Sequence, residues 1–320
     1  MGIRIALLAL SFSVFSVAGL AQPYPTKPIR VMIGSGAGGL ADVTTRLVGQ
    51  KLTERLGQPV VVENRPSAGG ILATQAVATA APDGHTLMVM VTGNAASKSL
   101  LKTLPYDLEK DFAPVTSVAF FDLLVLVKND SPLKTIADVV ALAKAKPGGL
   151  NVATTSTGSV QNLTGHLLVA ATGVKANIIT YKTSGDMLGS VLRGDTEFAI
   201  DAYTSLKAAI TAKQLRPIVS TGPARSQTLA EVPTMKEAGY KDFEMTGWNS
   251  LFAPAGTPPA TIALLNKHVR EILALPDVQK RFLDLGVEAK ASTPEEMGRL
   301  FKSTIDKFAD AVQRAGIQKQ

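Results

Sequence analysis

The chain is 320 residues long, carries a formal charge of +7 and contains no cysteine. That length is ample for more than one hydrophobic core, and the missing cysteines exclude disulfides, thiol nucleophiles and thiolate metal sites. The modest positive excess suits an anionic partner, but no Lys/Arg run interleaved with aromatics occurs, so nucleic acid is not an expected partner.

The first residues decide the compartment. Met1–Arg4 supplies one positive charge, Ile5–Leu20 is apolar with scattered Ser, and Gly19-Leu20-Ala21 puts small residues where a signal peptidase reads. This predicts a signal peptide over residues 1–21, because the apolar run is shorter than the ~20 residues of a spanning helix. No cysteine is present for a lipid anchor, and no twin-arginine pair signals folded export. A soluble exported protein, in the simplest case periplasmic, is expected.

Ile29–Ile33 reads as a strand, Gly34–Gly39 as a glycine loop, and Leu40, Val43, Leu47, Leu52 and Leu56 as a helix. Gly34, Gly36 and Gly39 satisfy G-x-G-x-x-G, and Glu63 ends the next strand, Val60–Glu63. That is the setting of a dinucleotide fingerprint, with the acid placed for a ribose hydroxyl. An exported Rossmann-type nucleotide-binding oxidoreductase is therefore the alternative reading. Against it, such cofactors are normally loaded before folded export, and the loop equally lets helix N-terminal amides face any anion. On the second view a side chain at Gly36 would enter a ligand cleft.

Further strand-like runs are Thr86–Thr92, Leu123–Val127, Leu150–Ala153, Ile178–Tyr181, Phe198–Asp201 and Ile218–Ser220, with helical spacing between them, as at Ile136, Val139, Val140, Leu142 and Ala143. The alternation predicts an α/β fold with largely parallel, buried strands. Pro114–Val127 and Phe243–Ala255 look extended and could carry the chain between two lobes. The lobes would then be 22–121 with 245–320, and 122–244, with a ligand cleft between them. Pro258–Leu275 and Pro294–Ala315 read as helices; the latter opens on Thr293-Pro294-Glu295-Glu296, a capping box. Its stripe of Met297, Leu300, Phe301, Ile305, Phe308 and Val312 is a core face.

The middle segment holds the most distinctive loop. Five of the six residues Thr154–Ser159 are Ser or Thr, between a strand and a helix, where the macrodipole favours negative charge. Thr183, Ser184 and Gly185 make a similar turn. Hydroxyl and amide cups of this kind describe a carboxylate or phosphate binder without catalytic machinery. Enzyme signatures are poor: G-x-S-x-G is absent, and His85, His166 and His268 have no metal-ligand spacing. Ser99–Lys102 and Ser131–Lys134 match S-x-x-K without its companion motifs. No enzyme activity, cofactor or metal is expected.

The stretches "LGQPVVVENRPSAGG", "APDGHTLMV", "LPYDLEKDFAPVTSVA", "LAKAKPGGLNVATTSTGS", "AEVPTMKEAGY" and "LFAPAGTP" occur in this order. In them, and from Tyr24 to the C-terminal helix, the chain resembles the periplasmic substrate-binding proteins of tripartite tricarboxylate transporters, the Bordetella uptake gene family. The resemblance implies a two-lobed type II binding protein, a Venus flytrap with a central cleft, that captures a small organic carboxylate (a di- or tricarboxylate or an aromatic acid) and delivers it to a membrane permease. Presenting the ligand to a sensor kinase is a variant role. It also implies ligand contacts at Ser35, Gly36, Ala37, Gly38 and Gly39, and at Thr92, Asn94 and Ala95. From the other lobe come Thr155, Ser156, Thr157, Gly158, Ser159 and Gln161, then Thr183 and Ser184, then Asp201 and Ala202. The sequence departs from the family's pattern in lacking prolines before the first glycines, in Asn162 where a histidine is common, and in Thr183 where a glycine is common. Asp42 is expected to stabilise a helix dipole. Trp248, Phe120 and Phe121 are expected in the core, although each could stack on an aromatic ligand.

Overall fold

The computed structural model describes residues 24–319 apart from 147 and 315. The expected signal peptide therefore lies outside the described residues. The first half runs β1 (Ile29–Ile33), α1 (Leu40–Leu56), β2 (Val60–Asn64), a 3-10 turn at Ala68–Gly70, α2 (Ile71–Ala78), β3 (Thr86–Val91), α3 (Thr92–Leu100) and β4 (Phe112–Lys128). Next come α4 (Ile136–Ala145), β5 (Leu150–Thr155), α5 (Val160–Thr172), β6 (Ala176–Tyr181), α6 (Ser184–Arg193), β7 (Phe198–Ala202), α7 (Tyr203–Thr211) and β8 (Leu215–Ser220). The chain closes with β9 (Thr246–Pro254), α8 (Pro259–Leu273), α9 (Pro276–Asp284), β10 (Glu288–Ala289) and α10 (Pro294–Arg314).

The strands form one continuous path in the order β2-β1-β3-β9-β4-β7-β5-β6, with β8 and β10 also on β4. The pivot is β4. Its first part pairs with β9 as far as Asp122↔Thr246. Its second part pairs with β7 from Leu123↔Ala202 and with β8 from Leu124↔Ser220. One long strand thus leaves one half-sheet at Asp122 and enters the other at Leu123. The fold is the two-lobed one expected. The strands are less parallel than expected, however: four ladders are parallel and five antiparallel. The antiparallel ones all involve β4, which spans both half-sheets, or β9, which runs opposite to both β3 and β4.

Helices cover both faces of the sheet, so β3 (TLMVMV) has four fully buried residues and no polar face. Trp248 and Phe252 pack on Phe301 of α10, with ring centroids 5.9 and 5.0 Å apart. Met297, Phe301, Ile305, Phe308 and Val312 of the expected stripe are buried there, each such side chain contributing roughly 1.5–3 kcal/mol. Thr293 caps α10 as expected, its Oγ1 accepting from Glu296 N–H while Glu296 accepts from Thr293 N–H (3.1 and 2.8 Å). The sequence reading missed α9. Only Val278 and Phe282 are buried on that nine-residue helix, too few to show a period.

Candidate ligand-binding site

A cavity of about 310 Å³ opens where the carboxyl ends of β1 and β3 face that of β5. Its walls are Gly34 and Ser35 after β1, Gly69 and Gly70, then Val89, Val91, Gly93, Asn94, Ser97, Leu100 and Leu101 along β3 and α3. Ser156, Thr157, Gly158 and Ser159 close it from the other half-sheet, and Ile317 and Gln318 beyond α10 complete it. The two glycine turns interlock: a Cβ on Gly34 would stand 2.6 Å from Gly70 Cα, and Gly70 itself has φ +69°. Neither position tolerates a side chain without backbone movement.

Two helices point their N-termini at this space, α3 from one half-sheet and α5 from the other. Their starting loops nearly touch, because a Cβ on Gly93 would lie 4.0 Å from Gly158 O. Both helices lack an acid in the first turn. Each carries an asparagine at its third position. Asn94 Oδ1 accepts from Val91 N–H (2.8 Å) and its Nδ2 donates to Gly69 O (3.1 Å). Asn162 Oδ1 accepts from Gly158 N–H (3.1 Å), and its Nδ2 donates to Thr154 Oγ1 (3.2 Å). At α1, α4, α6 and α10 the third residue is instead Asp42, Asp138, Asp186 or Glu296. The two helices at the cavity are thereby ordered without a charge of their own, which leaves their positive ends for an external anion.

Ser159 caps α5, its Oγ accepting from Asn162 N–H (3.1 Å) and from Thr155 Oγ1 (2.9 Å). The hydroxyls of Ser156 and Thr157 make no hydrogen bond among the described residues and line the cavity. Of the expected site residues, the structure therefore gathers Ser35, Asn94, Ser156, Thr157, Gly158 and Ser159 in its wall.

The others lie elsewhere. Gly36, Ala37, Gly38 and Gly39 are exposed and outside the wall. Nothing stands within 4 Å of a Cβ on Gly36, and Gly36 is not part of the cavity wall. Thr92 is buried and binds β9, accepting from Trp248 N–H (2.6 Å) and donating to Trp248 O (3.2 Å); Ala95 is buried beside it. Asp201 is fully buried, with Ser184 Oγ (2.6 Å) on one carboxylate oxygen and Gln161 Nε2 (2.9 Å) and Ala202 N–H (2.8 Å) on the other. Burial pushes that carboxyl upward, against the pull of these donors. Asp201 so ties α5, α6 and the end of β7 together behind the wall, and Ala202 is buried with it. Thr183 caps α6 through Asp186 N–H (3.1 Å).

Trp248 is buried in the core, and with Phe120 and Phe121 it borders a second space of about 820 Å³ behind β4. That space has charges of both signs on its rim, among them Arg225, Glu244, Lys280 and Glu288, and none of the three rings lines the smaller cavity.

The dinucleotide reading fails on its own residues. Glu63 is gripped by Arg30, with Nε–Oε1 2.7 Å and NH2–Oε2 2.9 Å, and so is not free for a ribose. Asp42 already sits on the amide end of α1: Gly38 N–H donates to its Oδ2 (2.9 Å) and Arg46 Nε to its Oδ1 (2.9 Å). Burial works to raise its pKa, but the bonds from Arg46 and Gly38 outweigh burial and hold the carboxyl below the usual range. A pyrophosphate there would meet a resident carboxylate. Among the described residues no group of His, Asp or Glu could hold a metal.

Comparison with known proteins agrees with this geometry. The family model of the tripartite tricarboxylate transporter family receptor matches residues 44–317. This chain belongs to that receptor family. The receptor is a solute-binding protein and not an enzyme. It is similar to Protein BugT of Bordetella pertussis, 33% identical over 97% of both chains. Two solved structures are also close in shape. One is R. palustris Rpa4515 with adipate, 29% identical with TM-score 0.81, covering 93% of this chain and 100% of the other. The second is MatC (Rpa3494) from Rhodopseudomonas palustris with bound malate, 31% identical with TM-score 0.77, covering 90% and 100%.

The receptor's wall contains several residues that sequence reasoning did not single out: Gly69, Gly70, Val89, Val91, Ser97, Leu100, Leu101, Ile317 and Gln318. The glycines lie inside or beside quoted stretches, so the close approach of the two turns was the missing step. Ile317 lies more than two hundred residues from Leu101, and no local pattern connects them. No helix of the described residues is long and apolar enough to cross a membrane.

Proposed function

We propose that this receptor captures a small organic carboxylate between the N-termini of α3 and α5 and hands it to the membrane subunits of a tripartite transporter from the periplasm, after removal of residues 1–21. The lobes that close on it are 22–121 with 245–320, and 122–244. The observation that carries the reading is the pair of facing helix ends with Asn94 and Asn162, not acids, at their third positions, beside the free hydroxyls of Ser156 and Thr157. A carboxylate there bridges both halves, and contacts made to both at once favour the closed form. Adipate and malate in the related structures support the ligand class.

A thermal-shift screen of the exported chain against a carboxylate library, with phosphates and NAD as controls, tests it. A carboxylate at about 100 times its Kd should add about 2.7 kcal/mol of stability. A midpoint moved by NAD or phosphate, with every carboxylate inert, would overturn the reading.

A further inference from the structure

We infer that the preferred ligand is a monocarboxylate with an apolar body, an aromatic or short aliphatic acid, and that Leu101 and Ile317 set this preference. The inference rests on the carboxylate reading above and narrows it.

The free donors of the cavity cluster at the facing helix ends, the hydroxyls of Ser156 and Thr157 with the first amides of α3 and α5. The rest of its wall gives a second carboxylate only the neutral Ser35 hydroxyl and Gln318 amide, and no cation. No lysine, arginine or histidine lines it. Asn94 spends both halves of its amide on Val91 and Gly69, and Ser97 Oγ donates to Asn94 O (2.7 Å). At the Ser35 end the side chain offers a single hydroxyl, Ser35 O accepts from Asn64 Nδ2 (3.1 Å), and the charges of Asp42 and Arg46 beside this loop are paired with each other.

Most of what remains is apolar: Val89, Val91, Leu100, Leu101 and Ile317, with the neutral amide of Gln318 beside the last. Leu100 reaches across to the other half, since a Cβ on Gly158 would overlap its Cδ1. Ile317 is held in place rather than dangling. Its N–H donates to Val312 O (3.1 Å), and Lys319 Nζ, two residues on, donates to Lys98 O of α3 (3.2 Å). The nearby ammonium of Lys98 is occupied by Glu109 at 2.5 Å. A volume of about 310 Å³ is at the small end of ligand cavities and has room for one ring or a short chain. A second carboxylate would stand against leucine and isoleucine with no cation to meet it, a desolvation cost that exceeds the apolar gain.

Calorimetry on the exported chain with matched pairs, benzoate against terephthalate and hexanoate against adipate, tests the inference. The monoacid of each pair should bind at least about tenfold tighter. Leu101→Lys, which places an ammonium on the apolar wall, should narrow or invert both ratios. Ile317→Ala should weaken the monoacids about fivefold and the diacids less. A diacid that binds as well as its monoacid, or a ratio unmoved by Leu101→Lys, overturns the inference while the carboxylate reading stands. If neither series binds, the carboxylate reading has failed and takes this inference with it.

Discussion

The loops before α1 and α5 are the same piece of backbone used for opposite ends. Each follows a parallel strand, and each has a glycine with positive φ just before the cap, Gly38 at +81° and Gly158 at +79°. In each, the third helical residue takes that glycine's N–H, Asp42 at 2.9 Å and Asn162 at 3.1 Å. The difference is one atom and one charge. Asp42 neutralises the end of its own helix and is locked by Arg46. Asn162 makes the corresponding bond as a neutral amide, and the dipole of α5 stays available. On the proposed function, a residue three positions into the helix, and not the glycines that draw the eye, separates these two loops.

Exchanging that residue is the strongest way to break the comparison. Asn162→Asp keeps the size and the bond to Gly158 and lets Thr154 donate in place of the lost amide. It should cost at least about a hundredfold in carboxylate affinity, about 2.7 kcal/mol by calorimetry, because a resident charge then opposes the ligand's. An unchanged Kd would show that the N-terminus of α5 does not hold the anion.

The reciprocal change should act on stability instead. Asp42→Asn is expected to cost about 1 kcal/mol in denaturant unfolding at pH 7 while the ligand Kd stays within about threefold. The sign with pH follows from the lowered carboxyl: its contribution is present above the unfolded value near ~3.9 and is lost as pH falls through the folded one. The gap between wild type and variant should therefore shrink below about pH 4. A gap that grew on acidification would contradict the role given to Asp42.

Asp122, where β4 passes from one half-sheet to the other, gives the opposite slope. Burial first, and then Glu288 and Glu244, push its pKa up to about 6, against one hydrogen bond from Ser220 Oγ (3.3 Å). The native state then holds this proton more tightly than the unfolded chain, so its effect is to lower stability as pH rises from about 4 through 6. Asp122→Asn should melt higher than wild type at pH 7.5, by on the order of 1 kcal/mol, and show little difference at pH 4. A variant less stable at both would mean that the carboxylate is needed where it stands. The smallest effect belongs to Gly36→Ala, whose Cβ meets nothing: stability and affinity should both stay within about 0.5 kcal/mol.

Much of this was legible in the sequence. The strands of both half-sheets, the crossing segments, the capped last helix and the hydroxyl-rich loop all follow from local pattern, as Thr293 with Glu296 and the run Thr154–Ser159 illustrate. The resemblance named loops of which several residues line the cavity, but could not sort wall from scaffold. Asp201 looks like a ligand contact in one dimension. Only its burial, and its bonds from Ser184 and Gln161, which belong to two different helices, reveal a brace. Gly34 against Gly70, and Ile317 beside Leu101, are long-range contacts that no periodicity encodes. The asparagine-for-acid contrast at the helix starts is the exception, since it can be read from sequence once helix boundaries are known.

The most direct measurement is a crystal structure of this receptor with the tightest carboxylate from the screen. The account predicts a carboxylate oxygen within about 3 Å of the amides or hydroxyls of Ser156–Ser159, with α3 closing the other side. A carboxylate seated on Gly36–Gly39, or in the space beside Phe120 and Asp122, would contradict it.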